Sequence, residues 1–290
     1  MGPSPDITAF QEALAEAKNI IILSGAGLSA PSGQQYPKPD QPLASRWLAN
    51  GHAWPYLFQT YIRGSWQFYS YRRTLALEAN PNAGHLAIAS LNLPNVAARV
   101  ILSASTALHI TQNLEELALR SAIKQVIPLS NTGLTDEALG RYIACRAGPW
   151  HERHSYEPYL IASFKDLPPD LLEDGVVIPV DKLPRWNGSN NRYGRCGGLL
   201  RPDVVWFGEV PPLMGEIERS ITWCDLLIVV GTSSIVQPAS DFASQVEGHG
   251  GKIAFFNIER TEKDKDADFA FVGSCDEILP VAIGVREEVH

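Results

Sequence analysis

The sequence predicts an α/β fold, a doubly wound parallel sheet with a small inserted module, and three observations predict it. Two runs that are apolar at every position, Ile20 to Leu23 and Leu226 to Val230, each lead into glycine and small residues. Runs of that kind suit strands covered on both faces, as in a parallel sheet. Segments with helical spacing alternate with such runs on both sides of the chain's middle, the signature of helices layered over a sheet. Between Asn131 and Arg195 the alternation stops, and Pro149, Pro158, Pro168, Pro169, Pro179 and Pro184 punctuate the chain. The sheet domain is therefore expected over residues 1–130 and 197–290, with the module at 131–196 and a helical insertion near 43–80.

The elements follow in order. Asp6 stands as an N-cap before a helix over Ile7 to Lys18, whose Ile7, Phe10, Leu14 and Ala17 share one face. The first strand runs into Gly25-Ala26-Gly27. Glycines there permit backbone angles that other residues avoid and let main-chain N–H groups approach a pyrophosphate. Gln34 to Pro42 holds three prolines and reads as an irregular loop, and the aromatic-rich Trp47 to Tyr71 forms the helical insertion. His85 to Ser90 reads as helix, Ala98 to Ser103 as strand, Asn113 to Ser121 as helix and Gln125 to Leu129 as strand. After the module come a strand at Val204-Val205, a helix over Pro212 to Thr222, the strand Leu226 to Val230, a helix over Ala239 to Glu247 and a strand over Lys252 to Asn257. The whole is Rossmann-like, and small-residue turns at the strands' carboxyl ends are where such sheets bind ligands.

Composition narrows the function. A chain of 290 residues with 45% hydrophobic content buries a substantial core without staples. With 24 basic against 32 acidic residues and a net charge of -8, no grip on a nucleic-acid backbone is expected. The apolar runs fall far short of the roughly 20 residues that a membrane span needs, so no membrane partner is expected. Cys145, Cys196, Cys224 and Cys275 show no paired spacing. The opening Met1 to Asp6 carries neither a secretory pattern nor an Arg-rich one, which points to a cytoplasmic or nuclear address.

Several separated strings narrow the reading further. Thr111-Gln112-Asn113, Gly197 to Pro202, Val204 to Glu209, and Gly231-Thr232-Ser233-Ser234 with Pro238 follow Gly25-Ala26-Gly27 and Ser29-Ala30 in the order seen in sirtuins. Over nearly its whole length the chain resembles the sirtuin family, the NAD-dependent protein deacylases. Tyr69-Ser70-Tyr71-Arg72 is similar to the acyl-pocket Tyr-x-x-Arg of the branch that removes succinyl and malonyl groups, and Pro81 to His85 is also similar to family sequence. Departures are concentrated where the chemistry sits. Leu129-Ser130-Asn131 stands where the family's Leu-His-Gly carries the general base, and Gly33 to Lys38 replaces the family's Gly-Ile-Pro-Thr-Phe-Arg. Glu115 matches an expected Asp, and Cys145 and Cys196 are what remain of the zinc cysteines.

The resemblance implies NAD as cofactor, held by Gly25, Ala26, Gly27, Ser29, Gln112, Asn113, Gly231, Thr232, Ser233, Asn257, Glu259 and Cys275. It implies Asn113, Glu115 and the Ser130 position at the reacting centre. Val205, Trp206, Phe207, Gly208 and Glu209 would pair with an acyl-lysine peptide by strand addition, or line a cleft for a small acylated molecule. Tyr69 and Arg72, three apart, present a phenol and a guanidinium to an anionic acyl group. Plainer readings stand beside these: Asn113 as a helix cap, Glu259 as a solvated carboxylate, Cys275 as a packed small residue and Arg72 as half of a surface ion pair. With one thiol left in each half, a zinc site built from Cys145, Cys196 and His151 or His154 is not expected. Ser130 cannot take up a proton near neutral pH, so His109 or Glu115 would have to supply a base. The expected function is an NAD-consuming enzyme derived from lysine deacylases, with deacylation weak or redirected. A non-catalytic protein that holds NAD, ADP-ribose or an acylated partner is the alternative. A hydride-transfer enzyme ranks last, because it leaves the Thr111 and Val205 strings unexplained.

Overall fold

The computed structural model describes residues 2–34, 75–76, 78–104, 107–113, 117–121, 126–128, 144–145, 181, 200–201, 211 and 213–285. Its centre is a six-stranded sheet of β1 (Ile20–Ser24), β2 (Ala107–Thr111), β3 (Val126–Pro128), β6 (Leu226–Val230), β7 (Lys252–Asn257) and β8 (Phe269–Val272). The strand order is β3-β2-β1-β6-β7-β8 and each neighbouring pair is parallel. Ile20 lies opposite Ala107 on one side and Leu226 on the other, so the chain reverses its direction of winding about β1. The carboxyl ends of β1 and β6 therefore flank the topological switch point, where loops diverge and leave a crevice.

Strand alternation splits the core into two layers. Ile20, Ile22, Ile228 and Phe256 face α1 (Ile7–Glu16) and α8 (Cys275–Ile283), while Ile21, Leu23, Leu227 and Val229 face α6 (Met214–Thr222) and α7 (Phe242–Gly248). Phe10 of α1 anchors the first layer, meeting Phe256, Phe269 and Phe271 edge to face at 5.4, 5.7 and 5.5 Å between ring centres. Such contacts add to the apolar area that each ring buries. Asp6 caps α1 as expected, its Oδ1 accepting from Thr8 N at 2.8 Å and Ala9 N at 3.2 Å.

Two expectations are corrected. Ala98 to Ser103 is not a strand: α4 (Pro94–Val100) runs through its start, and the second strand lies at Ala107–Thr111. Proline at the first helical position has its φ already set for a helix and no N–H to lose, and Val96 is buried beneath it. β8 and α8 have no counterpart in the sequence reading. Ser4 pairs with the outer edge of β8, donating to Asp268 O at 2.8 Å and accepting from Ala270 N at 3.1 Å. α3 (Ala83–Ser90), with Asn82 as its cap, packs against α8 on the first layer's side. A separate antiparallel pair joins β4 (Ala144–Cys145) to β5 (Leu200–Arg201), and so links residues on either side of the boundary expected at 196. Among the described residues no helix is long and apolar enough to cross a membrane.

Candidate functional site

At the switch point the β1 and β6 loops lock into one another. Gly25 N donates to Val230 O at 2.9 Å, Gly27 N to Gly231 O at 2.7 Å and Gly231 N to Phe256 O at 2.8 Å. A methyl group on Gly25 would meet Thr232 Cβ at 2.7 Å, and one on Gly27 would meet Gly231 Cα at 2.7 Å. On Gly231, whose φ is +60°, it would lie 2.3 Å from Leu28 N. This corrects the expected reason for the first two glycines. Gly25 sits at an ordinary φ of -120°, Gly27 is not left-handed, and both N–H groups are spent on the neighbouring loop. Close approach between two backbones is what excludes a side chain here.

Buried polar side chains underlie the β1 loop. Ser29, in the short helix α2 (Ala26–Ser29), accepts from Asn113 Nδ2 at 3.1 Å and bonds His85 Nε2 at 3.1 Å. His85 Nδ1 accepts from Asn82 N at 3.3 Å, which leaves Nε2 as the protonated, donating nitrogen of a neutral ring. Asn113 Nδ2 also donates to Gly25 O at 2.9 Å, so its amide is fixed and its Oδ1 accepts no bond among the described residues. Through its nitrogen Asn113 ties the end of β2 to the β1 loop. Gln34 N donates to Ser29 O at 3.2 Å, and Gln34 Oε1 is buried with no partner among the described residues. At the loop's other end, Ser24 Oγ and His109 Nε2 lie 2.8 Å apart, both buried. Burial pushes the imidazole of His109 down to about 4, so it is neutral at ordinary pH. A ring sealed beneath the sheet and bonded to Ser24 is not placed to serve as the substitute base.

The β6 loop is braced from its sides. Thr232 Oγ1 donates to Gln112 Oε1 at 3.2 Å and accepts from Ser234 N at 3.2 Å, while Asn257 Nδ2 donates to Thr232 O at 3.0 Å. Asn257 Oδ1 in turn accepts from Ile258 N at 3.0 Å, so this side chain is committed within the protein. Gln112, held by its oxygen, keeps its amide N–H groups unpartnered among the described residues. Ser234 takes the left-handed φ of 54° and is buried. Cys275 Sγ faces Phe256 O at 3.8 Å, and burial pushes the thiol up to about 11, the state of a packed small residue. Ser233 and Glu259 are exposed at the same edge. A cavity of about 760 Å³ lies elsewhere, among Pro5, Ile7, Phe271 and Pro280, and includes none of these side chains.

A family description, the Sir2 family, matches residues 25–238, from the first residue of the β1 loop to just past the β6 loop. The chain belongs to the Sir2 family. The NAD-dependent protein deacylase sirtuin-5, mitochondrial, of Canis lupus familiaris is 37% identical over 287 residues, covering 98% of this chain and 87% of the relative. The NAD-dependent protein deacylase of Daphnia pulex is 34% identical over 284 residues, covering 97% of each. Among solved structures, a complex of a Sir2 homologue with NAD covers 100% of this chain and 97% of its own at a TM-score of 0.72 and 27% identity. A mutant Sir2 homologue bound to 2'-O-acetyl ADP ribose gives a TM-score of 0.71 at 27% identity, covering 97% of each chain.

In this Sir2 chain Gly25, Ala26, Gly27, Ser29, Gln112, Asn113, Gly231, Thr232, Ser233 and Asn257 lie along one edge of the sheet, with Glu259 and Cys275 beyond β7. Glu115, Ser130, Tyr69, Arg72 and Val205 to Glu209 lie outside the described residues, as do Cys196, His151 and His154. Ser24, Asn82, His85 and Ser234 carried no predicted role. A signal existed for three of these, since Asn82 and His85 fall in the Pro81 to His85 string and Ser234 in the Gly231 to Ser234 string. None existed for the bond between Ser24 and His109, whose partners stand 85 residues apart.

Proposed function

We propose that the chain is a sirtuin-type NAD-dependent enzyme that acts on acyl-lysine side chains, with NAD lying across the carboxyl ends of β1 and β6. One juxtaposition supports this above all. Two amide groups without partners among the described residues, Asn113 Oδ1 and the Gln112 nitrogen, belong to side chains that are bonded to the interlocked glycine loops. An amide oxygen accepts and an amide nitrogen donates, and a dinucleotide carries both donors and acceptors. When bound, NAD supplies the carbon that loses nicotinamide and takes the acyl oxygen. Asn113 is positioned to accept a hydrogen bond at that edge, and Gln112 to donate one. Cys275 and Asn257 contribute through backbone and packing, since their side chains are engaged with the protein.

Tyr69 and Arg72 favour an anionic acyl group, succinyl or malonyl, and residues 205–209 favour an extended peptide added as a strand. Ser130 replaces the family's base, and a positioned base is worth roughly 10²–10⁴-fold. Deacylation is accordingly weak or redirected toward a small acylated molecule or NAD cleavage. The seclusion of His109 favours a second reading, a protein that binds NAD or an acylated partner without turnover. Nicotinamide release from NAD, measured with and without succinyl-lysine and acetyl-lysine peptides, separates the two. Release stimulated by peptide excludes the binder, and tight NAD binding without release excludes the enzyme. Imaging of the tagged chain decides the cytoplasmic or nuclear address expected above, with mitochondrial signal the outcome that overturns it.

A further inference from the structure

Ser24 is the last residue of β1 and the first support of the loop that follows. Its backbone is fixed on both sides: Ser24 O accepts from Gln112 N at 2.9 Å, and the next residue, Gly25, donates to Val230 O at 2.9 Å. Only its side chain reaches the buried layer under the sheet, and there it meets His109 Nε2 at 2.8 Å. Ser24 is 0% exposed and His109 4%. Position 109 lies between Leu108 and Ile110 in a central strand, where a β-branched apolar side chain packs well and brings no polar atom to satisfy. An imidazole in that place offers less to stability than to position. The loop's far end has a matching anchor, because Ser29 is bonded by His85 and Asn113. Residues 25–28 thus hang between two serines, each bonded by a buried histidine.

We propose that His109 is a positioning residue for the β1 loop, holding Ser24 so that Gly25 and Gly27 stay closed against Gly231. The inference rests on the reading that this loop holds NAD, and it adds a residue on which that binding depends without contact. Loss of the imidazole leaves a buried hydroxyl without its partner. Ser24 then turns to competing backbone acceptors, and the contact between Gly27 and Gly231, which leaves no room for a methyl group, loosens. The effect is local, since the apolar layers of the core stay intact.

Four variants of the full chain test this: His109→Val, Ser24→Ala, the pair together, and His109→Gln, which keeps an amide for Ser24. NAD affinity by calorimetry, amide exchange at Gly25 and Gly27, and the denaturation midpoint are measured for each. His109→Val is expected to bind NAD about three- to tenfold more weakly, the equivalent of one hydrogen bond. Its loop amides exchange faster while its midpoint equals or exceeds that of the parent. The double variant binds no more weakly than His109→Val, because the two side chains act as one unit, and His109→Gln recovers part of the loss. Unchanged loop exchange in His109→Val overturns the proposal, as does a loss of affinity that merely follows the midpoint, or full additivity in the double variant. Absence of NAD binding by the parent chain would instead sink the functional reading, and exchange at Gly25 and Gly27 would still decide the role of His109.

Discussion

The two loops at the switch point are built differently although they touch along their length. The β1 loop is held from underneath by pairs of buried side chains: Ser24 with His109, and Ser29 with His85 and Asn113. The β6 loop is held from its flanks, by Gln112 of the β2 end and Asn257 of the β7 end meeting Thr232. Buried supports are shielded from water and set the loop's height above the sheet. Flanking ties remain partly open, and the nitrogen of Gln112, without a partner among the described residues, is left to face a ligand. Rigidity and ligand contact thus fall mostly on different side chains of one small edge, with Asn113 in both roles, its nitrogen a support and its oxygen the proposed contact.

Four measurements test that contrast, and the largest effect belongs where the loops meet. Gly231→Ala places a methyl group 2.3 Å from Leu28 N at a left-handed φ, and is expected to cost on the order of 3 kcal/mol or more by denaturation; Gly33→Ala, left-handed but in open space, should cost only about 1–2 kcal/mol. Next comes acid. The pKa of His109 is lowered from 6.5 to about 4 in the folded chain, so the unfolded chain binds the extra proton in the window between. Its contribution is complete above pH 6.5 and fades as pH falls toward 4, by about 3 kcal/mol at 1.36 kcal/mol per pH unit. His109→Val should flatten that part of the stability profile, and an unchanged slope would place the titration elsewhere.

Smaller effects follow. Asn113→Ala removes the amide bonded to Gly25 O and Ser29 Oγ; a loss of about 1–3 kcal/mol is expected, together with loss of nicotinamide release beyond what the midpoint explains. Thr232→Val deletes the tie to Gln112 and the acceptor for Ser234 N, and should cost about 1 kcal/mol with a clear rise in the KM for NAD. If Thr232→Val proves more damaging to stability than Asn113→Ala, the division between buried and flanking supports is wrong.

Legibility in the sequence followed the range of the interactions. Asp6 announces α1 because a cap acts over three residues, and the apolar runs at Ile20 to Leu23 and Leu226 to Val230 announce strands because both their faces are covered. Ala98 to Ser103 misled because a short apolar run does not distinguish helix from strand, and Pro94 was the clue that counted. β8 and α8 escaped because Phe269 to Val272 owes its strand to β7 and Ser4 rather than to local pattern. Gly25 and Gly27 stood out in the sequence, yet the reason for them was misjudged, since it lies in contact with Gly231 and Thr232, about 200 residues away in sequence.

By itself the sequence determined the class of fold, the doubly wound order of elements, and the strings that place the chain among Sir2 proteins. The first two depend on periodicity, capping and local composition, which neighbours in the chain settle, and the strings rest on residue identity alone. Tertiary structure alone decided that the glycines serve one another, that Asn257 is committed to Thr232, and that His109 supports Ser24 rather than acting as a base. Those facts depend on which strand ends become neighbours. The strand order β3-β2-β1-β6-β7-β8 is what brings polar groups from distant segments within hydrogen-bond reach and seals one imidazole from water.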